Sequence, residues 1–219
     1  MLVLVDGDPI VYRAGFACED VEYHVVYDDG HDHPEYIIFS RDDKQTATKK
    51  LREWEATVSA EDIIECDKQI IPEELDHVLS TVRAILRDTR YSVAEHFGLE
   101  VDKVHLRVLL SGPGNFRDKI ATILPYKGNR KDTHKPYWYQ QIRNYLTDTW
   151  DAEVVEGREA DDECAIQQYQ NEDTIIATID KDLDQVPGWH YDYVRKSFYF
   201  TEEAEGQLLF YKQVLSGDS

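Results

Sequence analysis

The chain is poor in base. Its 219 residues carry 24 Lys and Arg against 44 Asp and Glu, a formal net charge of −20. That balance excludes broad, non-specific nucleic-acid binding through the surface as a whole, because the phosphates are repelled. Cysteine is scarce as well. Cys18, Cys66 and Cys164 are odd in number and far apart, which excludes a disulfide framework or a closely spaced cysteine metal motif and fits a reducing cytoplasm. No apolar run approaches the roughly 18 residues of a membrane span, so no membrane partner is expected. The opening MLVLVDGDP reaches Asp6 too early for a signal peptide. SGPGN at residues 111–115 lacks the GK[ST] of a phosphate-binding P-loop and reads as a turn.

What is present is the material of a core. Hydrophobic residues make up 42% of the chain, ample for one folded domain of this length. LVLVD (Leu2–Asp6) is apolar without alternation up to its closing acid, as strands covered on both faces are, and VHLRVLL (Val104–Leu110) and the run Thr174–Ile179 read as further buried strands. A short strand at Glu153–Val155 and another at Val194–Phe200 are expected. Helices are expected after GDP at the start, at Lys44–Val58, Pro72–Phe97, Lys135–Thr149 and Ala160–Gln170. Val21–Phe39 alternates around DDGHDHPE and reads as a hairpin, with His31 and His33 in its solvated turn. Strands separated by helices predict an α/β fold with a mostly parallel sheet.

In such sheets the site lies outside the carboxyl ends of the strands. Asp6 ends the first strand, and Asp180 and Asp182 end the Thr174–Ile179 run. Glu159, Asp161 and Asp162 open the helix after the Glu153–Val155 strand. In extended backbone, residues i and i+2 project to one side, so Asp180 and Asp182 are expected to aim at one point. Carboxylates delivered to one edge repel unless cations lie between them. All-oxygen ligation suits Mg²⁺ or Mn²⁺ over zinc, and two ions about 4 Å apart serve phosphodiester hydrolysis. DKDLD is no calcium loop of the EF-hand type, since Gln185 stands at its sixth position and Tyr191 at its twelfth. The default reading of any one acidic cluster in so acidic a chain is a solvated surface; placement at strand ends is what distinguishes these.

Residues 117–143 break the acidic trend, with seven Lys or Arg against two Asp. Lys127, Arg130, Lys131 and Lys135 are suited to phosphates, and Tyr126, Tyr137, Trp138 and Tyr139 to stacking on bases. Core packing is the competing role for the aromatics, Tyr145 among them.

LVDGD, LPYKGNR, EADD and TIDKDLDQV, in this order, resemble the 5′→3′ exonuclease and flap endonuclease family, in particular bacteriophage exonucleases and the amino-terminal nuclease domain of bacterial DNA polymerase I. The matching segments cover residues 1–17 and 104–219. The resemblance implies a PIN-like fold and Mg²⁺-dependent hydrolysis of DNA at 5′ ends or flaps; RNA–DNA hybrid and replication proteins are candidate partners, DNA against hybrid being left open, and the expected place is the cytoplasm, the host's for a bacteriophage protein. It implies metal-ligand roles for Asp6, Glu159, Asp161, Asp162, Asp180 and Asp182. Lys127 and Arg130 match the basic residues that meet the scissile phosphate at the base of a helical arch (residues 117–149), Lys127 stabilising its charge in the transition state.

The family often carries a further Asp after the second strand, where this chain has Ser111, Gly112 and Pro113. Residues 18–100, a hairpin with helices, map onto nothing in the family pattern and are expected to be an insertion into a single domain. Asp218 in LSGDS matches the first acid of a GDxxDN motif, whose continuation into a duplex-gripping helix-hairpin-helix is missing from this sequence. Two alternatives stand beside this reading: a PIN-type ribonuclease, and a non-catalytic acidic protein that mimics DNA or binds a replication partner.

Overall fold

A computed structural model describes residues 1–31, 33–121, 126 and 134–216. Its main sheet is built from β1 (Leu2–Asp6), β5 (His105–Ser111), β6 (Glu153–Val155), β7 (Thr174–Ala177), β8 (Gly188–Asp192) and β9 (Ser197–Thr201). The order is β6-β5-β1-β7-β8-β9, parallel throughout except for β9, which runs antiparallel to β8. The chain therefore has a mixed α/β fold with a mostly parallel sheet, as the apolar runs predict.

Alternation along β1 divides the core. Val3 and Val5 pack on one face with residues of α1 (Asp8–Ala17), α3 (Leu75–Phe97) and α5 (Tyr139–Trp150). Leu4 faces the other way, with Leu109, Ile176 and the buried side of α6 (Ala160–Gln170). Both faces are covered, which is why these strands read as unbroken apolar runs. Each such side chain stabilises the fold by about 1.5–3 kcal/mol on full burial. Helix α3 buries Val78, Val82, Leu86, Thr89 and Val93 at three- and four-residue spacing. It stops at Gly98, whose φ of 63° is left-handed and natural to glycine.

A second, three-stranded antiparallel sheet, ordered β3-β2-β4, is formed by β2 (Glu19–Tyr27), β3 (Glu35–Phe39) and β4 (Ile63–Pro72). Helix α2 (Ala47–Glu55) packs on it through Leu51 against Val25 and Phe39. The β2–β3 hairpin is the one the alternation predicts. Strand β4 has no counterpart in the sequence reading. Its ECDKQ centre is exposed throughout, so no buried face marks it, and only its long pairing with β2 makes it a strand.

Two expectations are corrected. The strand expected at Val194–Phe200 is a hairpin arm with its turn inside that range. Asp192 Oδ1 accepts from the backbone N–H groups of Val194 and Arg195, both at 2.8 Å, and Lys196 takes φ 52°, so the chain reverses between β8 and β9. The strand expected to run to Ile179 ends at Ala177. A short 3-10 turn, Lys181–Gln185, follows, with Asp180 as its N-cap, and α4 (Arg117–Ile120) and α7 (Glu203–Ser216) complete the elements.

Candidate metal centre

Strand β1 lies between β5 and β7. The chain leaves β1 towards β5 on one side and returns from β6 through α6 to β7 on the other, so the sheet order reverses around β1. A crevice opens at the carboxyl ends of strands at such a point. Asp6, at the end of β1, is buried there at 3% exposure. Its carboxylate accepts from the Thr178 hydroxyl at 3.2 Å. Burial first, then the charges of Asp8, Asp161 and Asp180, hold its pKa well above the ordinary carboxylate value.

Asp8 opens α1 ahead of Pro9, both favourable in a first turn. One of its oxygens takes Arg143 Nη1 at 3.0 Å and the other the backbone N–H of Ser111 at 3.1 Å. Arg143 also donates to the Ser111 carbonyl oxygen at 2.8 Å. Gly7 separates the two aspartates because β1 passes hard against β5 here: its N–H donates to the Leu109 carbonyl at 2.8 Å, and a Cβ would lie 2.7 Å from that same oxygen.

Asp6, Asp8, Glu159, Asp161 and Asp180 surround a cavity of about 350 Å³, completed by Pro9, Tyr12, Ser111 and Tyr139. Glu159, Asp161 and Asp180 also border a larger neighbouring cavity of about 890 Å³, which Arg117, Tyr126, Asp162, Asp182, Tyr169 and Phe210 line as well. The donors of the smaller cavity are all oxygen, and burial together with the neighbouring carboxylates disfavours the charged form of Asp6. Both properties fit a hard divalent cation.

The other acids are differently placed. Asp162 accepts from both terminal guanidinium nitrogens of Arg117, Nη1 at 2.5 Å and Nη2 at 2.7 Å, and from the backbone N–H of Glu159 at 3.2 Å. Although burial opposes it, Arg117 and these hydrogen bonds hold its pKa below the usual value. Asp182 faces the larger cavity and accepts from Gln213 Nε2 of α7 at 2.9 Å. The expectation that Asp180 and Asp182 share a side by strand alternation is corrected: Asp180 is the N-cap of the 3-10 turn and Asp182 lies within it, and Asp180 Oδ1 accepts from the N–H of Asp182 at 3.0 Å.

Of the basic stretch, Tyr126 reaches the site directly, its hydroxyl donating to Glu159 at 2.8 Å. Lys135 lies over the Tyr139 ring at 4.5 Å. Trp138 and Tyr139 pack on the core, as does Tyr145, while Tyr137 is exposed. Lys127, Arg130, Lys131 and Asp218 lie outside the described residues. Asp8, Arg117, Ser111, Arg143 and Thr178 were not singled out as site residues by the sequence. Asp8 carried a signal as a second acid two residues from Asp6, Arg117 and Arg143 as members of the basic stretch and Ser111 by its place after the second strand; Thr178 enters only through contacts across the fold.

No family model matches the chain, and no curated protein matches it. Among solved structures, the T5 D15 protein co-crystallised with metal ions aligns at a TM-score of 0.37 and 18% identity, over 57% of this chain and 50% of that one. This chain thus aligns with about half of that protein's length. Among the described residues, no helix is long and apolar enough to cross a membrane.

Proposed function

We infer that the chain is a divalent-metal-dependent nuclease that hydrolyses phosphodiester bonds of DNA at 5′ ends or flaps. The observation that carries this reading is the meeting of carboxylates from distant parts of the sequence, Asp6, Asp8, Glu159, Asp161 and Asp180, around one cavity at the switch point of the sheet. A basic stretch is tied to its edge by the Tyr126–Glu159 and Arg117–Asp162 contacts. Such a pairing is what phosphodiester cleavage needs: anionic ligands for cations, and cationic side chains for the strand.

Those five acids would hold Mg²⁺ or Mn²⁺, two ions in the full site, with Asp182 towards the larger cavity. Bound there, the metal supplies an activated water and charge stabilisation on the leaving oxygen. Asp6 and Asp180 are held by Thr178. Asp8 supplies an acid beside Ser111, where the family pattern has its own Asp. Arg117 orients Asp162 and, through it, the first turn of α6. Lys127 and Arg130 would meet the scissile phosphate, with Lys131 and Lys135 on the backbone beyond it. The single PIN-like domain, with residues 18–100 as an insertion, belongs to the same proposal.

The test is cleavage of a 5′-labelled duplex, a 5′-flapped duplex and an RNA–DNA hybrid, with Mg²⁺ and then with EDTA. Metal-dependent release of short 5′ products is expected, and Asp180→Asn should slow it by on the order of 100-fold or more while leaving the fold intact. Cleavage that survives EDTA, or that Asp180→Asn leaves at its original rate, overturns the reading.

A further inference from the structure

Away from the acidic cavity, three side chains of different chemistry meet where the chain leaves the main sheet for the smaller one and comes back from it. Cys18 follows α1 and is 3% exposed. Glu73 and His77 stand four residues apart around the start of α3, on one face of that turn. The Cys18 thiol sulfur, a Glu73 carboxylate oxygen and a His77 ring nitrogen all lie within 4.8 Å of one another. The Glu73 carboxylate already contacts His77 Nδ1. The Glu73 backbone N–H donates to the Cys18 carbonyl at 2.9 Å, so the two segments are held together whatever their side chains do.

We propose that Cys18, Glu73 and His77 bind a zinc-type divalent cation. A sulfur, a nitrogen and an oxygen donor form a set that selects zinc over magnesium or calcium. Tetrahedral zinc, with bonds of about 2.0–2.3 Å, places its ligand atoms roughly 3.3–3.6 Å apart. Ligation would part the direct Glu73–His77 contact and draw both groups round towards the Cys18 sulfur by side-chain rotation, and both are solvent-exposed and open to an arriving ion. Three protein ligands leave the fourth position to water.

The consequence is mechanical. Glu19, next to Cys18, accepts from the Tyr137 N–H at 2.8 Å and from His134 Nε2 at 3.2 Å. The Trp138 indole donates to the Glu73 carbonyl at 2.8 Å. The joint that the ion would close is thus also the point where His134, Tyr137 and Trp138, at the root of the basic stretch, are held. Zinc there would fix the base of the smaller sheet and this root together, and its binding energy would appear as folding stability.

Cobalt is the probe, because a thiolate bound to Co²⁺ gives a charge-transfer absorption that carboxylate-bound Co²⁺ does not. The full chain carrying Cys66→Ser, stripped of metal, is titrated with Co²⁺ and then with Zn²⁺. The thiolate band is expected to saturate at one ion per chain, Zn²⁺ should abolish it, and Zn²⁺ alone should raise the thermal midpoint. Cys18→Ser removes the band. His77→Ala, at an exposed position that leaves the fold intact, weakens Co²⁺ binding by about 10- to 100-fold or more. Absence of the band at saturating Co²⁺, its survival in Cys18→Ser, or unchanged affinity in His77→Ala overturns the proposal. None of these outcomes bears on nuclease activity, so the two proposals stand or fall separately.

Discussion

The Thr178 hydroxyl donates to Asp6 Oδ2 at 3.2 Å, joining residues 172 positions apart, and Thr178 Oγ1 in turn accepts from the backbone N–H of Asp180 at 3.0 Å. One side chain thereby sets the spacing between acids at the ends of two adjacent parallel strands. Thr178→Val keeps the shape and removes both bonds. It should cost about 1–2 kcal/mol of stability, since it leaves the Asp180 N–H without this acceptor. The Mg²⁺ concentration for half-maximal cleavage should rise by about 10-fold, as for loss of a ligand-orienting group. A magnesium titration of activity beside a urea melt checks both, and an unmoved magnesium requirement rules out the positioning role.

Asp8 is the acid that the sequence reading left unassigned. Asp8→Asn preserves an acceptor for the Ser111 N–H but removes the charge facing Arg143 and the cavity. Metal affinity should fall by an order of magnitude or more if the carboxylate serves the ions. Stability should fall by about 1 kcal/mol or less, as for a partly exposed ion pair. Calorimetric titration with Mn²⁺ separates the two effects; a stability loss with unchanged Mn²⁺ affinity would make Asp8 a purely structural partner of Arg143.

Gly7 holds Asp6 and Asp8 at their separation. A methyl group there would lie 2.7 Å from the Leu109 carbonyl oxygen and 2.9 Å from Leu110 Cδ2. The first of these neighbours is sheet backbone and cannot swing aside. Gly7→Ala should therefore destabilise the chain by about 1–3 kcal/mol, read as a lowered urea midpoint. A midpoint equal to that of the parent chain would mean that β1 and β5 separate at this end without cost.

His190 supplies a pH dependence of its own. It is fully buried, stacks on Tyr199 with ring centroids 4.9 Å apart, and meets the Val186 carbonyl through Nε2 at 2.7 Å. That nitrogen therefore carries the proton, while Nδ1 has no partner among the described residues. Burial holds the pKa below the ordinary value of 6.5. Below pH 6.5 the unfolded chain binds a proton that the folded chain does not, so stability rises with pH in that window and is lost on acidification. This contribution is at most about 1.4 kcal/mol per pH unit. Between pH 7 and pH 5, the parent chain should lose more stability than His190→Gln; equal slopes in parallel urea melts would count against the assignment.

The sequence by itself determined the class of the fold. Unbroken apolar runs such as Leu2–Asp6 and Thr174–Ala177 can be satisfied only by covering both faces of a strand, and the helical stretches between them make those strands parallel. It also determined that acids would gather at the carboxyl edge, because Asp6 closes the first of these runs and Asp180 stands just beyond the second. Tertiary structure decided which acids share a cavity. Distances across a sheet depend on strand order, and no local pattern states that β5 and β7 both flank β1. Asp162 and Asp161 are neighbours of one type, yet Asp162 is taken up by Arg117, 45 residues away, and only Asp161 borders both cavities. Strand β4 and the meeting of Cys18 with Glu73 and His77 arise in the same way: each depends on pairing between segments that have no pattern in common until the chain is folded.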